Sequence, residues 1–253
     1  MFELLIKKGK KPMNKKVLGA GIVVVAIIVA GGVIMSKQSQ RKSEKVSDDY
    51  INQTLPATNP TGEKPADNLP KENVKNGKVS LTPENTKMAW VGRKVIVANY
   101  EDAGSINVKS GSAEIQDGLV TQAEAVIDMT SITALTTGKG DGMDMLSKHL
   151  KSPDFFDVEK YPTADLKITS AKVLSETATG KQYELTGTLT MKGVTQPVSF
   201  KGDVTILGNI ATLEAQVQLD RTKWGVNYGS SKLGNTVIDD MFTVKLSILG
   251  EVK

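Results

Sequence analysis

Side chains able to do chemistry are few in this chain, and their spacing does not assemble a reaction centre. The single histidine, His149, would have to serve any Ser-His-Asp triad, and no Gly-x-Ser-x-Gly elbow presents a serine. Gly138-Lys139-Gly140 lacks the Lys-Ser/Thr ending of a phosphate-binding loop. Asp141, Asp144, Asp154 and Asp157 could in principle gather a cation. Without the spacing and closing Glu of a calcium loop, they read as capping and turn residues. There is no cysteine, which removes thiol chemistry, Cys-based zinc sites, disulfides and a lipid-modified cysteine. The residues therefore point to a non-enzyme with no cofactor and no metal. His149 is left with a structural hydrogen bond or, as the alternative, a polar contact to a ligand headgroup.

What stands out instead is apolar. Met145 to Pro162, MLSKHLKSPDFFDVEKYP, sets Phe155 and Phe156 side by side in an Asp-flanked turn. Each ring is worth roughly 2 kcal/mol or more when buried, so this loop is expected to fold back onto something apolar.

The elements around it must supply that surface. Val17 to Met35 is an uncharged run of Val, Ile, Gly and Ala. At 1.5 Å per residue it spans about 28 Å, the depth of a bilayer core. Six lysines and one acid precede it, which by the positive-inside rule leaves that end in the cytoplasm and the rest exported. An uncleaved single-pass anchor is the favoured reading, and a cleaved signal peptide the rival. The formal charge of +4 contains +5 from the first sixteen residues, so the remainder carries about −1. A surface that tracks nucleic-acid phosphates is not expected. Residues 36–82 are dense in Asn, Pro, Thr and Lys and read as a flexible linker whose ends average roughly 35 Å apart. A short helix near Val46 to Leu55 is the one local feature expected there.

From about Pro83 the pattern has period two, with strands expected at 86–91, 94–99, 104–109, 111–116, 119–130, 163–174, 182–191, 196–207, 210–221 and 242–252. The first two or three could be one bent strand. Gln116-Asp117-Gly118 and Leu207-Gly208-Asn209 suit tight hairpins. Long one-sided strands in consecutive hairpins favour an all-β, closed antiparallel barrel over a two-sheet sandwich. Two long connections, 131–162 and 222–241, interrupt the meander. In the first, Met143, Leu146 and Leu150 fall on one face of a short helix that Pro153 stops. Small barrels are filled or hold one small ligand. The inward set mixes large residues with Ala123, Ala125, Gly187 and Ala215, whose small size hints at space.

The run LSKHLKSPDFFDVEKYPTADLKI resembles the hallmark of the YceI-like family, His-Leu-x-Ser-x-Asp-Phe-Phe-Asp followed by Tyr-Pro and a strand. IDMTSITAL, GTLTMKGVTQPVSF and LDRTKWGVNYG follow the same family's order, and the likeness covers about residues 86–252. It implies a lipocalin-like barrel, usually exported, around a long apolar tunnel. It also implies binding of polyisoprenoid chains, such as isoprenoid quinones or prenyl phosphates, with no reaction catalysed. The chain departs from the pattern after Trp90, where VGRKVIVANYEDAGSINVKSG lacks the family's histidine and phenylalanines. The anchor and linker are additions to the usual free form.

The expected function is thus a membrane-tethered, extracytoplasmic carrier or sequestering protein, periplasmic or at the cell surface. The expected lining or lid is Trp90, Ile127, Met129, Leu146, Leu150, Phe155, Phe156, Leu185, Leu189, Met191, Phe200, Leu213, Val217, Phe242 and Leu246, with His149 as headgroup candidate. A filled barrel acting as an interaction or stress-response scaffold is the alternative, marked by the absence of an internal cavity.

Overall fold

The computed structural model describes residues 45–51, 76–176, 180–230 and 237–253. Among them, no helix is long and apolar enough to cross a membrane, and the apolar run at 17–35 lies outside them.

In the described residues nine antiparallel strands follow in the order β1 (Gly77–Leu81), β2 (Thr86–Lys94), β3 (Tyr100–Gln116), β4 (Leu119–Thr136), β5 (Thr163–Glu176), β6 (Lys181–Met191), β7 (Val194–Leu207), β8 (Ile210–Asp220) and β9 (Met241–Glu251). Each pairs with its neighbour in a continuous sheet that β3–β4 pairing closes on itself. The barrel has eight staves, because β1 and β2 share one edge of β3. Gly77–Leu81 lies along Ile115–Gly111, and Met88–Lys94 continues along Ile106–Tyr100. The break between them is a turn held by Asn85, which accepts from Thr82 N–H at 2.8 Å and donates to the Ser80 carbonyl at 2.8 Å. No edge is left unpaired along the closed staves, which removes the hazard that long strands would otherwise present.

The antiparallel order sets the connections at two ends. β2–β3, β4–β5, β6–β7 and β8–β9 turn over at one end, called the mouth below, and β3–β4, β5–β6 and β7–β8 at the other. The β3–β4 hairpin, at Asp117 and Gly118, has φ of 51° and 72°, the paired left-handed residues of a two-residue turn. The β6–β7 hairpin does the same with Lys192 and Gly193, at 51° and 74°. Both long connections fall at the mouth. The first carries α2 (Met143–Lys151) and the second a single turn of 3-10 helix at Arg221–Trp224.

Several expectations need correction. Residues 94–99 are not a strand: 95–99 turn over at the mouth, with Asn99 at φ 57°. Their Val-Ile-Val run has the composition of a strand but no partner to pair with. Residues 104–109 and 111–116 are one strand, β3, whose alternation is broken by register shifts against β4. Gly104 is required at one of them, since a Cβ there would sit 1.9 Å from the Thr133 carbonyl and 2.5 Å from the Trp90 ring. β4 runs on to Thr136, into the span read as loop.

The 36–82 span is not all linker either. β1 begins at Gly77, and residues 45–51 are helical, called α1, matching the local expectation there. Asp48 of α1 pairs with Lys245 of β9 at 2.6 Å. On that outer face Ala89, Val91 and Ser247 are buried, although Met88 and Trp90 between them point into the barrel. Ser47 and Ile51 of α1 are buried too. A short amphipathic turn that covers sheet surface is stabilised by that contact rather than by its own propensity.

Candidate functional site

Tracing the inward side chains from the mouth downwards defines a cavity of about 620 Å³, within the range of small-molecule sites. Its wall is set by strand alternation. Met88 and Trp90 of β2, Ile106 of β3, Ile127 and Met129 of β4, Leu189 and Met191 of β6 and Val244 and Leu246 of β9 all face it. Trp90 is available as apolar wall because its indole N–H is satisfied by the Thr133 carbonyl at 3.2 Å. Below the cavity Ile168, Tyr183, Leu185 and Val204, with Phe200 and Leu213 against them, form a second cluster that leaves a small apolar void of about 70 Å³.

Of the expected lining, Trp90, Ile127, Met129, Leu146, Leu150, Phe155, Phe156, Leu189, Met191, Phe200, Val217, Phe242 and Leu246 border the cavity, and so does His149. Leu185 and Leu213 do not; they belong to the second cluster. Period two identifies which face a side chain takes but not its depth along the barrel axis. Gly187 provides no space either. A Cβ there would lie 1.9 Å from the Lys167 carbonyl, so its size is set by close strand approach at a β5–β6 register shift.

α2 lies over the end of β4. Ser147 Oγ accepts from Ala134 N–H at 2.9 Å and donates to the Met143 carbonyl at 2.8 Å. Leu150 is buried, Met143 and Leu146 partly so, and the helix ends at Ser152 before Pro153. The chain then folds under itself: Phe156 N–H bonds the Leu150 carbonyl at 3.1 Å and Asp157 N–H the Ser152 carbonyl at 2.9 Å. Lys192 Nζ, from the β6–β7 turn, donates to the Phe155 carbonyl at 2.5 Å. The two rings are buried as expected, edge to face with centroids 5.8 Å apart. His149 is sandwiched by rings, 5.2 Å from Phe155 and 4.6 Å from Tyr228, both edge-on.

The second crossover is built round a residue that the sequence did not single out. Arg221 is buried and donates to the carbonyls of Val226 (2.8 Å), Tyr228 (2.9 Å), Ile238 (3.2 Å) and Asp239 (3.0 Å). Asp240 lies 3.5 Å away, and the guanidinium stands 5.6 Å over the Phe155 ring. Burial lowers its pKa, opposed by Asp240, Asp220 and Asp239. An arginine defaults to the surface in a sequence reading, and only its place between Asp220 and the turn marks it out.

Polar groups gather at the mouth and engage one another. Asp102 accepts from Gly138 N–H at 3.0 Å, and Lys94 Nζ sits 4.3 Å over the Tyr100 ring. Arg93 pairs with buried Glu101 at 2.6 Å. Burial pushes the Asp102 carboxyl above its ordinary range, partly offset by the Gly138 bond and Lys94. The Tyr100 hydroxyl is pushed up to about 12, by burial first and by neighbouring Asp102 second. Among the described residues no three of His, Asp and Glu converge as a metal site.

Fold and site together define a lipocalin-like antiparallel barrel with a large apolar cavity, open at the end that carries the crossovers. A family model described as the YceI-like domain matches residues 80–249, well over half of the sequence. The chain belongs to the YceI-like family. Protein YceI of Escherichia coli O6:H1 is 34% identical over 87 residues, 34% of this chain and 43% of that protein. UPF0312 protein plu2095 of Photorhabdus laumondii is 47% identical over 57 residues, 22% of this chain and 27% of that protein. The chain thus spans less than half the length of these relatives. Among solved structures, Burkholderia cenocepacia BcnA superposes with a TM-score of 0.52 at 19% identity, covering 67% of this chain and 98% of that one. A polyisoprenoid binding domain from Saccharophagus degradans gives 0.51 at 16% identity, covering 71% of this chain and 100% of that one. At these identities the likeness establishes the fold.

Proposed function

We propose that the barrel holds one long apolar isoprenoid lipid, of quinone or prenyl-phosphate type. In this reading residues 17–35 tether the chain to a membrane as a single-pass anchor. The barrel then works outside the cytoplasm, in a periplasm or at the cell surface, as a carrier or sequestering protein. The observation that carries the reading is the cavity, about 620 Å³ and, below its charged mouth, walled by apolar strand side chains. Transfer from water is worth about 0.8 kcal/mol per methylene, so each five-carbon unit contributes roughly 4 kcal/mol. A chain-like ligand gains with every unit enclosed, and the mouth's polar groups need only accommodate its end. His149 and Tyr228, whose rings are 4.6 Å apart where they border the cavity, are the headgroup contacts in this reading. The polyisoprenoid binding named for the Saccharophagus domain supports the choice of lipid class.

Mass spectrometry of organic extracts tests the proposal. The full chain is purified from membranes beside an Ala164→Phe variant, which narrows the cavity and controls for lipid carried by the anchor. A stoichiometric isoprenoid present in the parent and depleted in the variant is expected. Identical extracts, with no isoprenoid taken up on incubation, would sink the idea.

A further inference from the structure

The mouth is more apolar outside than a solvent-facing rim requires. Val95, Ile96 and Val97, in the β2–β3 turn, are 53%, 63% and 45% exposed, Met145 on α2 is 76% and Tyr228 is 48%. They surround one opening. Met145 and Tyr228 border the cavity, and so does Val237, whose carbonyl receives the Val95 N–H at 3.2 Å. Large apolar side chains exposed together at the edge of a pocket mark an interaction surface. Charge does not dominate it. The rim's Arg93 and Arg221 are paired, and Lys94 and Lys139 share the lining with Asp102, Asp141 and Asp239.

The occupant follows from where the chain outside the described residues leads. α1 is fixed to β9 through Asp48 and Lys245. Lys245 lies four residues from Met241 at the mouth and six from Glu251 at the far end, so α1 sits on the mouth half, about 13 Å from the rim. Only nine residues, ten Cα steps, separate Met35, at the end of the apolar run, from Lys45. Fully extended they reach at most about 35 Å. A tether so short keeps the barrel close to whatever surface the run at 17–35 enters, and of the two ends the apolar mouth is the nearer to α1, about 13 Å away against about 20 Å for the far end.

We propose that the mouth rim, led by Val95, Ile96, Val97 and Met145, inserts into the apolar layer of a phospholipid bilayer, so that the cavity opens to lipid rather than to water. Insertion is hydrophobic in origin and indifferent to lipid charge. It rests on the proposed anchoring at residues 17–35 and gives the proposed cavity its route to ligand.

The absence of cysteine makes the test direct. Single Ile96→Cys and Ser175→Cys chains, the second marking the far end of β5, carry an environment-sensitive fluorophore. The full chains are reconstituted into phosphatidylcholine vesicles with nitroxide-labelled acyl chains. The Ile96 probe is expected to shift to the blue and be quenched by the nitroxide, equally with and without added phosphatidylglycerol, while the Ser175 probe stays in water. Adding Val95→Ser and Val97→Ser should abolish the quenching while the chain still floats with vesicles through its anchor. An Ile96 probe that emits as in water and is quenched by iodide like the Ser175 probe overturns the proposal. So does one that becomes buried without lipid, which would mark a protein contact. Flotation separately reports the anchor: a chain that fails to float and leaves the probe in water refutes anchoring and insertion together. Insertion without any extractable isoprenoid would refute only the cavity's proposed ligand.

Discussion

Replacing Ala164 by phenylalanine tests the hollow barrel on two scales at once. Ala164 is buried at the start of β5, opposite Ile127 across the β4–β5 ladder, and borders the cavity. The added ring takes up about the space of one isoprene unit. Excluding that unit forgoes roughly 4 kcal/mol of transfer energy, about a thousandfold in affinity, and about thirtyfold if half the unit finds other space. The folded state responds oppositely. In a hollow barrel the ring buries itself and the urea midpoint holds or rises, whereas forcing it into a filled core costs about 1–3 kcal/mol. Binding can be followed by titrating a quinone with a two-unit isoprenoid tail against tryptophan fluorescence. Of the two tryptophans, Trp90 lines the cavity, while Trp224 is buried with its indole N–H on the Leu189 carbonyl at 3.0 Å. Unchanged quinone affinity, or a loss of several kcal/mol in stability with m unchanged, would refute the reasoning.

Other perturbations follow from single contacts. Arg221→Met leaves four loop carbonyls without their donor and Asp240 without its cation, so urea unfolding should show a loss of about 3–5 kcal/mol. Gly104→Ala drives a methyl into the Thr133 carbonyl and the Trp90 ring. A lowered melting temperature with disturbed Trp90 fluorescence is expected, and wild-type values would show that β3 and β4 can separate freely there. Asp102 is pushed up by burial, so the folded state holds its proton more tightly than the unfolded state. Its contribution is therefore lost as pH rises from the ordinary carboxylate value, near 3.9, through the higher folded one. Asp102→Asn, which keeps an acceptor for Gly138 N–H, should flatten that fall in a urea series from pH 4 upward, and parallel curves would disprove it.

Much of the barrel could be read from residues, and the failures share a cause. β5 to β9 were placed to within a few residues because Leu185, Leu189 and Met191, or Phe242, Val244 and Leu246, alternate without interruption. β3 reads as two strands, 104–109 and 111–116, because the register shift between Val108 and Ser110 breaks the alternation there while pairing with β4 is kept. Residues 95–97 were mistaken for a strand because β-branched composition does not distinguish a paired segment from an exposed rim. Within the site, face was legible and depth was not. Leu185 and Leu189 are identical by pattern, yet one belongs to the second cluster and the other lines the cavity. Arg221 was invisible because its partners are carbonyls, which leave no mark on composition.

The two ends of the barrel are built from different materials, and this bears on how the site can vary. At the far end the connections are short, with the β3–β4 turn made by Asp117 and Gly118 alone, and the second cluster consists of strand side chains. Tyr183, almost wholly buried, accepts from Val120 N–H at 3.4 Å and ties β6 to the β3–β4 hairpin. Changing that cluster alters the ladder that closes the sheet, so its cost falls on folding. At the mouth, Phe155, Phe156, Trp224 and Val226 come from crossovers, and they are held by backbone bonds, Lys192 and Arg221 rather than by strand register. Length and side chains there can change while the eight staves stay in register. Selectivity for the end of a ligand can therefore drift without loss of the barrel.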